Sequence, residues 1–314
     1  MQSVNHESSF PAIAPEGFTR LADTGTKGDD FVRPSTSYWQ DVWKRFKKDK
    51  LAMAGLIFLI IITLLAIFGP MISPYTYDGV DRKAANEWPN AQHWFGTDKF
   101  GRDIFTRVLY GARISLTVGF VAAGISLIIG VVYGSVAGYF GGKVDMIMMR
   151  IVDILIGMPS LLYIVLIMLV LGSNLLSVIV AICISSWIGT ARIVRGQVLT
   201  LKSSEYVMAA KLAGASNLKI LFSHMLPNSM GPIIVSTAFL VPGAIFNEAF
   251  LSFLGIGISV PMASWGTLAN EAISQMSSRP YQLIFPVLAI CLTMFSMNFI
   301  GDGLRDSLDP KLKK

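Results

Sequence analysis

Composition alone narrows the class of this protein. The chain has 314 residues, of which 53% are hydrophobic and 15% charged, and its mean hydropathy is +0.57. These values favour a membrane protein over an ordinary soluble domain. The 2 cysteines, Cys183 and Cys291, lie in apolar stretches, and the 3 histidines show no metal-ligand spacing, so neither a disulfide nor a metal site is predicted.

The N-terminal part precedes any apolar run. Residues 1–36 are rich in Ser, Thr, Gly, Pro and acids, which predicts a disordered cytoplasmic tail rather than a cleavable signal. Residues 37–50 are predicted to form an amphipathic interfacial helix, because apolar side chains recur at helical spacing among basic ones. A plain basic anchor is the alternative. The apolar positions are Trp39, Val42, Trp43 and Phe46.

Six later stretches are long enough to be membrane spans. A helix needs about 20 mostly apolar residues to cross a hydrocarbon core of roughly 30 Å. The continuous runs exclude a β-barrel, whose strands alternate in hydrophobicity. An all-α membrane protein with six transmembrane helices is therefore predicted. The first span is 51–70; the others lie at 114–140, at 147–171 and 175–193 as a hairpin, and at 232–254 and 283–300.

The distribution of Lys and Arg predicts the topology. With the N-terminus inside, the cytoplasmic pieces carry 8 of the 26 basic residues in 1–50, 2 in 141–150, 5 in 192–231 and 4 after residue 301, which leaves 7 outside. This is the positive-inside bias. It places 71–112 outside the cell and a cytoplasmic tail at 302–314. The net charge of +6 therefore indicates topology and does not indicate nucleic-acid binding.

The predicted cytoplasmic loop 192–231 has signals for two short helices. Ser203 and Ser204 are natural N-caps, and Glu205 places negative charge in a first turn. Ala209 and Ala210 give the helix a small side, and Gly214 is a natural terminator. A helix of this kind can sit deep in the groove of a partner.

The second short helix of the loop is predicted over 217–225. Ser216 can cap it, and Pro227, after Leu226, is expected to stop it. An ordinary surface loop would explain the capping signals equally well.

Few polar residues interrupt the predicted spans. Glu248 lies well within one, beside Asn247, and a buried ionisable group in a membrane is costly. The two residues are candidates for a pathway or gate, with an interhelical hydrogen bond of Glu248 as the alternative. Arg150 and Asp153, three residues apart, are predicted to pair on one helical face.

Motifs of catalysis are missing from the sequence. There is no G-x-x-x-x-G-K-[ST], no H-E-x-x-H and no G-x-S-x-G. The chain is therefore not expected to be an enzyme by itself, and no cofactor-binding residue is predicted.

The loop resembles the EAA motif of permease subunits of bacterial ABC importers. In that motif a Gly follows an alanine pair by four positions and a Leu-Pro follows later. The matching residues are Ala209, Ala210, Gly214, Leu226 and Pro227. Met208 stands where the motif has glutamate and His224 where it has isoleucine, while Glu205 supplies a carboxylate one turn earlier.

Further stretches are similar to the C-type permease subunits of dipeptide and oligopeptide importers. They lie at 50–55, 95–103, 110–115, 248–257 and 261–266, in the order of that family. The resemblance implies a type I importer permease with an anchoring helix before a five-helix permease core over 113–301. It also implies a homologous second permease subunit, two ATPases that bind ATP and Mg²⁺, a peptide-binding protein, and contact of Glu205 and its neighbours with one ATPase.

Other functions remain open at the level of sequence. A permease of the same family could carry nickel, glutathione or another small solute. A self-sufficient channel or ion-coupled carrier would transport without an ATPase, and an ion-coupled carrier normally has more intramembrane polar groups and broken helices in matched halves. A membrane scaffold or enzyme would need residues that the sequence does not provide.

Overall fold

A computed structural model describes residues 37–259 and 261–309. The predicted tail 1–36 and the last five residues of the predicted tail 302–314 lie outside the described residues. From Trp39 onward the chain forms one compact unit. The described residues are helical apart from turns, loops and one isolated bridge between Thr97 and Asp103, which confirms the all-α prediction.

The described residues contain eleven α-helices. They are α1 Tyr38–Phe46, α2 Lys50–Ile72, α3 Ile104–Phe140, α4 Gly142–Gly157, α5 Ser160–Leu171, α6 Leu175–Lys202, α7 Glu205–Leu212, α8 Asn217–Lys219, α9 Leu226–Phe253, α10 Trp265–Ala272 and α11 Tyr281–Leu308. Short 3-10 turns lie at Arg82–Ala84 and Ile273–Gln275, and a π-helical turn at Ile220–Met225.

Five helices are long and apolar enough to cross a membrane, and the bent pair α4 and α5 would make a sixth span. The prediction of one helix near 147–171 is wrong, because α4 and α5 meet at 88°. Met158 has extended backbone angles and directly precedes Pro159. The proline ring clashes with a helical conformation of the preceding residue, so the helix breaks there.

The first span does not end at Pro70 as predicted. α2 continues through Pro70 to Ile72. Proline has no N–H for the carbonyl four residues earlier, which is that of Ala66. The side chain of Arg113 on α3 replaces this donor, with Nε 3.2 Å from the oxygen of Ala66 and a terminal nitrogen 2.9 Å from that of Ile67.

The second long helix begins ten residues before its predicted start. Asp103 caps α3 by accepting a hydrogen bond from the N–H of Thr106 at 2.8 Å. The first turns of α3 contain Arg107 and Arg113, and these charges hide the helix from a search for apolar runs. The predicted loop 192–231 is also largely helical, because α6 extends to Lys202.

The central helix of the fold is α3, which packs against α2, α4, α6, α9, α10 and α11. Its closest neighbour is α6, because Gly130, Gly134 and Gly138 form a strip along the shared face. A Cβ atom at Gly138 would come 2.9 Å from the carbonyl oxygen of Arg195, and one at Gly134 would clash with that of Ala191. Small residues of this kind allow helix backbones in membranes to approach closely.

Candidate functional site

The loop between α6 and α9 contains the predicted docking helix as α7. Ser204 occupies the N-cap position, but its hydroxyl donates back to the carbonyl of Leu201 at 2.6 Å and does not cap α7. Ser203 donates to the carbonyl of Thr200 at 3.0 Å. The N-cap prediction is therefore right for the position of Ser204 and wrong for both side chains, which satisfy the last carbonyls of α6 instead.

The end of α7 is a Schellman motif. Gly214 has a φ angle of +79°, in the left-handed region. Its N–H donates to the carbonyl of Lys211 at 3.0 Å, and the N–H of Ala215 donates to that of Ala210 at 3.1 Å. These two bonds define the motif, and they confirm Gly214 as the terminator of the helix.

One face of α7 is buried and the other is exposed. Val207 is fully buried among apolar residues from α3, α6 and α9, and Ala210 packs at the edge of this cluster. Positions three and four residues apart share a helix face. The opposite face therefore consists of Glu205, Met208, Ala209 and Leu212, all exposed, with 91% of Leu212 accessible.

After α7 the chain returns through a short helical leg. Ser216 accepts a hydrogen bond from the N–H of Lys219 at 3.4 Å, in agreement with its predicted capping role. Leu218 and Phe222 are exposed on this leg, by 67% and 59%. Large apolar side chains are therefore exposed on both parts of the loop.

Pro227 does not stop the second helix, so that prediction is wrong. Residues Asn217–Phe253 run as one 37-residue helix, and Pro227 is exposed in its interior. The π-helical turn ends at Met225, two residues before Pro227, and the N–H of Leu226 is bonded to the carbonyl of Leu221. Proline has no N–H to donate. A π-helical turn contains one extra residue and shifts the pattern of carbonyl acceptors, so the helix can include the proline. Leu226 itself is buried.

Tyr139, at the end of α3, contacts the loop on both sides of α7, at the end of α6 and at the return leg that begins with Asn217. Its hydroxyl donates to Oδ1 of Asn217 at 2.7 Å, and its carbonyl accepts from Nζ of Lys202 at 2.5 Å. Its side chain is buried in the same apolar cluster as Val207. The end of α3 is therefore the anchor of the loop.

Glu248 is fully buried between α3, α9 and α10. Its carboxylate accepts hydrogen bonds from the hydroxyls of Ser115 at 2.7 Å and Ser252 at 2.8 Å. Ser115 in turn accepts from the N–H of Trp265 at 3.3 Å. The structure thus contains the interhelical hydrogen bond that the sequence left as one alternative, while a pathway role of Glu248 and of the partly exposed Asn247 stays a prediction.

A cluster of four charges lies at the opposite end of α3, and we name it the clasp. It consists of Asp98, Arg102, Arg107 and Glu271. Oδ2 of Asp98 lies 2.6 Å from a nitrogen of each arginine, and Oε2 of Glu271 lies 2.6 Å and 2.7 Å from them. The side chain of Arg107 is only 1% exposed. The clasp joins the segment before α3 to α10 with no net charge.

The segment between α2 and α3 is tied down by further side chains. Nδ1 of His93 lies 3.0 Å from Oδ1 of Asp103, the cap of α3. Tyr77 stacks on Tyr110 with ring centroids 3.8 Å apart. The hydrogen bond of the Tyr77 hydroxyl to Tyr110 uses the phenolic proton and, together with burial, raises the pKa of the Tyr77 phenol above its ordinary value.

Two ion pairs connect α6 to α4. Asp153 pairs with Arg192 at 2.5 Å, so the predicted pairing with Arg150 is wrong. Because α4 packs against α6, the partner of Asp153 comes from the other helix. Arg195 binds both carboxylate oxygens of Asp145.

Sequence reasoning missed the exposed apolar residues of the loop. Met208 and Leu212 follow Glu205 at helical spacing, so the sequence contained a readable signal for their common face. It contained no signal for the clasp, because Asp98 and Glu271 are distant along the chain and only the fold brings them together.

Comparisons with known proteins agree with this architecture. Residues 130–314 match the family described as binding-protein-dependent transport system inner membrane component, and residues 37–89 match the N-terminal TM domain of oligopeptide transport permease C. The first match covers more than half of the chain. The chain therefore belongs to the family of binding-protein-dependent transport system inner membrane components, and it is a multi-pass protein of the cytoplasmic membrane.

Two relatives from Bacillus subtilis match nearly the whole chain. An oligopeptide transport system permease protein is 51% identical over 314 residues, covering 100% of both chains, and a dipeptide transport system permease protein is 50% identical over 303 residues, covering 96% of this chain and 95% of the relative. The MetNI methionine ABC transporter in an inward-facing conformation has a TM-score of 0.51 at 15% identity, covering 65% of this chain and 96% of the other. That likeness concerns the fold, and it confirms the type I importer permease prediction.

Proposed function

We propose that this chain is one of two permease subunits of an ATP-driven importer of oligopeptides or dipeptides. Both relatives described above are named as peptide transport permeases, and they match this chain over nearly its full length. In this proposal a homologous second permease completes the pathway, and a binding protein delivers peptide to the outer side. Two ATPase subunits bind ATP and Mg²⁺, so hydrolysis takes place outside this chain.

The observation that carries the coupling role is the exposed apolar face of α7. Leu212 shares the exposed face of α7 with Met208, and Leu218 and Phe222 are exposed in the same loop; apolar surface of this kind favours burial by a partner. The positive-inside bias puts this loop and both termini in the cytoplasm, where an ATPase is accessible. Glu205, Ala209, Ala210, Gly214, Leu226 and Pro227 are the residues proposed to dock or support the docking helix.

The packing of α3 against α6 supports a mechanism by rigid-body motion. Because α7 directly follows α6, and because the glycine strip of α3 holds α6 closely, a displacement of α7 moves both long helices together. Nucleotide-driven closure of the two ATPases would then rock the permease pair between outward-open and inward-open states.

The first experiment is purification of the tagged chain in mild detergent, with mass spectrometry of the bound proteins. A second multi-span subunit and ATPases with Walker motifs are expected. Transport by the chain alone in liposomes would contradict the proposal and favour a channel or ion-coupled carrier. Uptake assays with peptides of graded length, glutathione and nickel then identify the substrate, and uptake of only the latter two would overturn the peptide assignment.

Replacement of Leu212 by arginine tests the docking face. Burial of a leucine contributes about 1.5–3 kcal/mol, so its loss is expected to weaken binding of the ATPase about 10- to 100-fold. The control is Leu212→Met, which keeps an apolar side chain of similar volume. Copurification of the ATPase in normal amount with the arginine variant would contradict the assignment of α7.

A further inference from the structure

We propose that Tyr139 is a positioning residue for energy coupling. Its hydroxyl group, bonded to Asn217, fixes the return leg of the loop to the end of α3, so that α7 follows the motion of the long helices. This inference rests on the proposed role of α7 as the docking helix.

The two legs of the loop are attached in different ways. The first leg, the end of α6, lies against the glycine strip of α3, and the Arg195–Asp145 ion pair also ties it to α4. Nζ of Lys202 adds a bond to the carbonyl of Tyr139 at 2.5 Å. This leg is therefore held by backbone contact, an ion pair and a charge-assisted hydrogen bond.

The second leg is held mainly by apolar packing. It contains the π-helical turn Ile220–Met225, whose geometry is rare and concentrated at functional sites. Ile220, Leu221 and Met225 are buried in the apolar cluster, and apolar packing by itself is non-directional. A directional tie for this leg must come from polar groups.

The Tyr139–Asn217 bond provides that tie to the helix on which the first leg packs. It joins two side chains 78 residues apart at 2.7 Å, and Asn217 is the first residue of the return leg. The ring of Tyr139 is 6% exposed and fixed by packing, so the position of its hydroxyl is well defined. With the bond intact, Tyr139 of α3 is hydrogen-bonded on both sides of α7, to Lys202 before it and to Asn217 after it.

Loss of the bond is expected to uncouple ATP hydrolysis from transport. In a Tyr139→Phe variant the ring keeps its packing, but α7 can tilt on its return leg when the ATPase moves. We expect the number of ATP molecules hydrolysed per peptide transported to rise about three- to tenfold, the change expected for one lost hydrogen bond. The measurement uses the whole complex in proteoliposomes, with hydrolysis and uptake recorded in the same sample.

Tyr133→Phe is the matched control. This tyrosine lies on the same helix, and its hydroxyl donates to the carbonyl of Met148 at 2.9 Å, away from the loop. The same hydroxyl group is removed, so the coupling ratio should keep its wild-type value. An equal rise in both variants would overturn the proposal, because the effect would then be a general loosening of α3.

Variants of Asn217 separate positioning from simple stability. Asn217→Asp keeps an acceptor for the tyrosine hydroxyl and should retain the wild-type ratio, whereas Asn217→Leu should match Tyr139→Phe. The double variant Tyr139→Phe, Asn217→Leu should be no worse than either single change, since both remove one bond. A wild-type ratio in Tyr139→Phe, or additive effects in the double variant, would overturn the proposal.

The Leu212→Arg variant distinguishes the two proposals. If it binds its ATPase normally, the docking role of α7 is wrong and the role of Tyr139 is wrong with it. If Leu212→Arg releases the ATPase while Tyr139→Phe couples normally, only the positioning role is overturned.

Discussion

The two ends of α3 differ in whether their side chains find their partners within this chain. At its beginning, four charges of the clasp neutralise one another inside the chain, and the side chain of Arg107 is 1% exposed. At its end, the loop leaves large apolar side chains in contact with solvent, with Leu212 91% exposed. At the first end the charges are paired within this chain, whereas the second end exposes apolar surface of the kind that a partner protein buries.

The contrast between the two ends separates contacts that stabilise the chain from contacts available to a partner. A buried charge must be paired locally, because its desolvation is costly in any state of the protein. An exposed leucine has a smaller cost that association can remove. The contacts of the clasp are therefore expected to stay the same in every state of the protein. The contacts of the loop are expected to change when a partner binds.

The largest functional effect is expected from Gly214→Trp. A residue other than glycine in the left-handed region costs about 1–3 kcal/mol, and no atom lies within 4 Å of a Cβ atom there, so the protein should still fold and insert. The bulky side chain should prevent α7 from closing against the ATPase proposed to dock there. Peptide uptake by the reconstituted complex is expected to fall to the level of protein-free vesicles.

Gly172→Trp is the control for this change. Gly172 has a φ angle of +81° and also has no neighbouring atom within 4 Å of a Cβ position, but it lies in the turn between α5 and α6. Its ψ angle of 165° places it in a region that is almost restricted to glycine, so the backbone strain of a tryptophan there is at least as large as at Gly214. Uptake by the inserted variant should nevertheless stay close to wild type. Normal uptake by a well-inserted Gly214→Trp variant would contradict the docking role of α7, and with it the functional difference between the two ends of α3.

The largest effect on stability is expected at the clasp. Arg107→Leu leaves Asp98 and Glu271 with Arg102 as their shared partner, and breaking a buried ion network costs about 3–5 kcal/mol. A clear fall in the melting temperature of the purified protein is expected. Arg82→Leu, at an exposed arginine of the same segment, should change the free energy of unfolding by less than about 0.5 kcal/mol.

The smallest effect is expected for the ion pair between α4 and α6. Asp153 and Arg192 lie 2.5 Å apart, but their side chains are 53% and 46% exposed, so solvent screens the pair. Asp153→Asn should cost about 0–1 kcal/mol, measured by the same thermal unfolding. If this variant were as unstable as Arg107→Leu, burial would not be what distinguishes the clasp.

Much of the helical architecture was predictable because its signals are local. Apolar runs located the long helices, and Gly214 predicted the end of α7. The errors occurred where another group, near or far along the chain, changed the result expected from the local pattern. α2 continues through Pro70 because Arg113, far along the chain, supplies the missing donor, and α9 contains Pro227 because a π-helical turn precedes it.

The sequence by itself determined the class of this protein. Runs of about 20 apolar residues have few alternatives to membrane helices, and the spacing of Ala209, Ala210 and Gly214 carries the resemblance of the loop to the EAA motif. Only the tertiary structure decided which face of α7 is exposed, where the carboxylate of Glu248 points, and which residues form the clasp. Hydrogen bonds and ion pairs depend on distances of about 3 Å between groups, and for residues far apart along the chain only folding sets those distances.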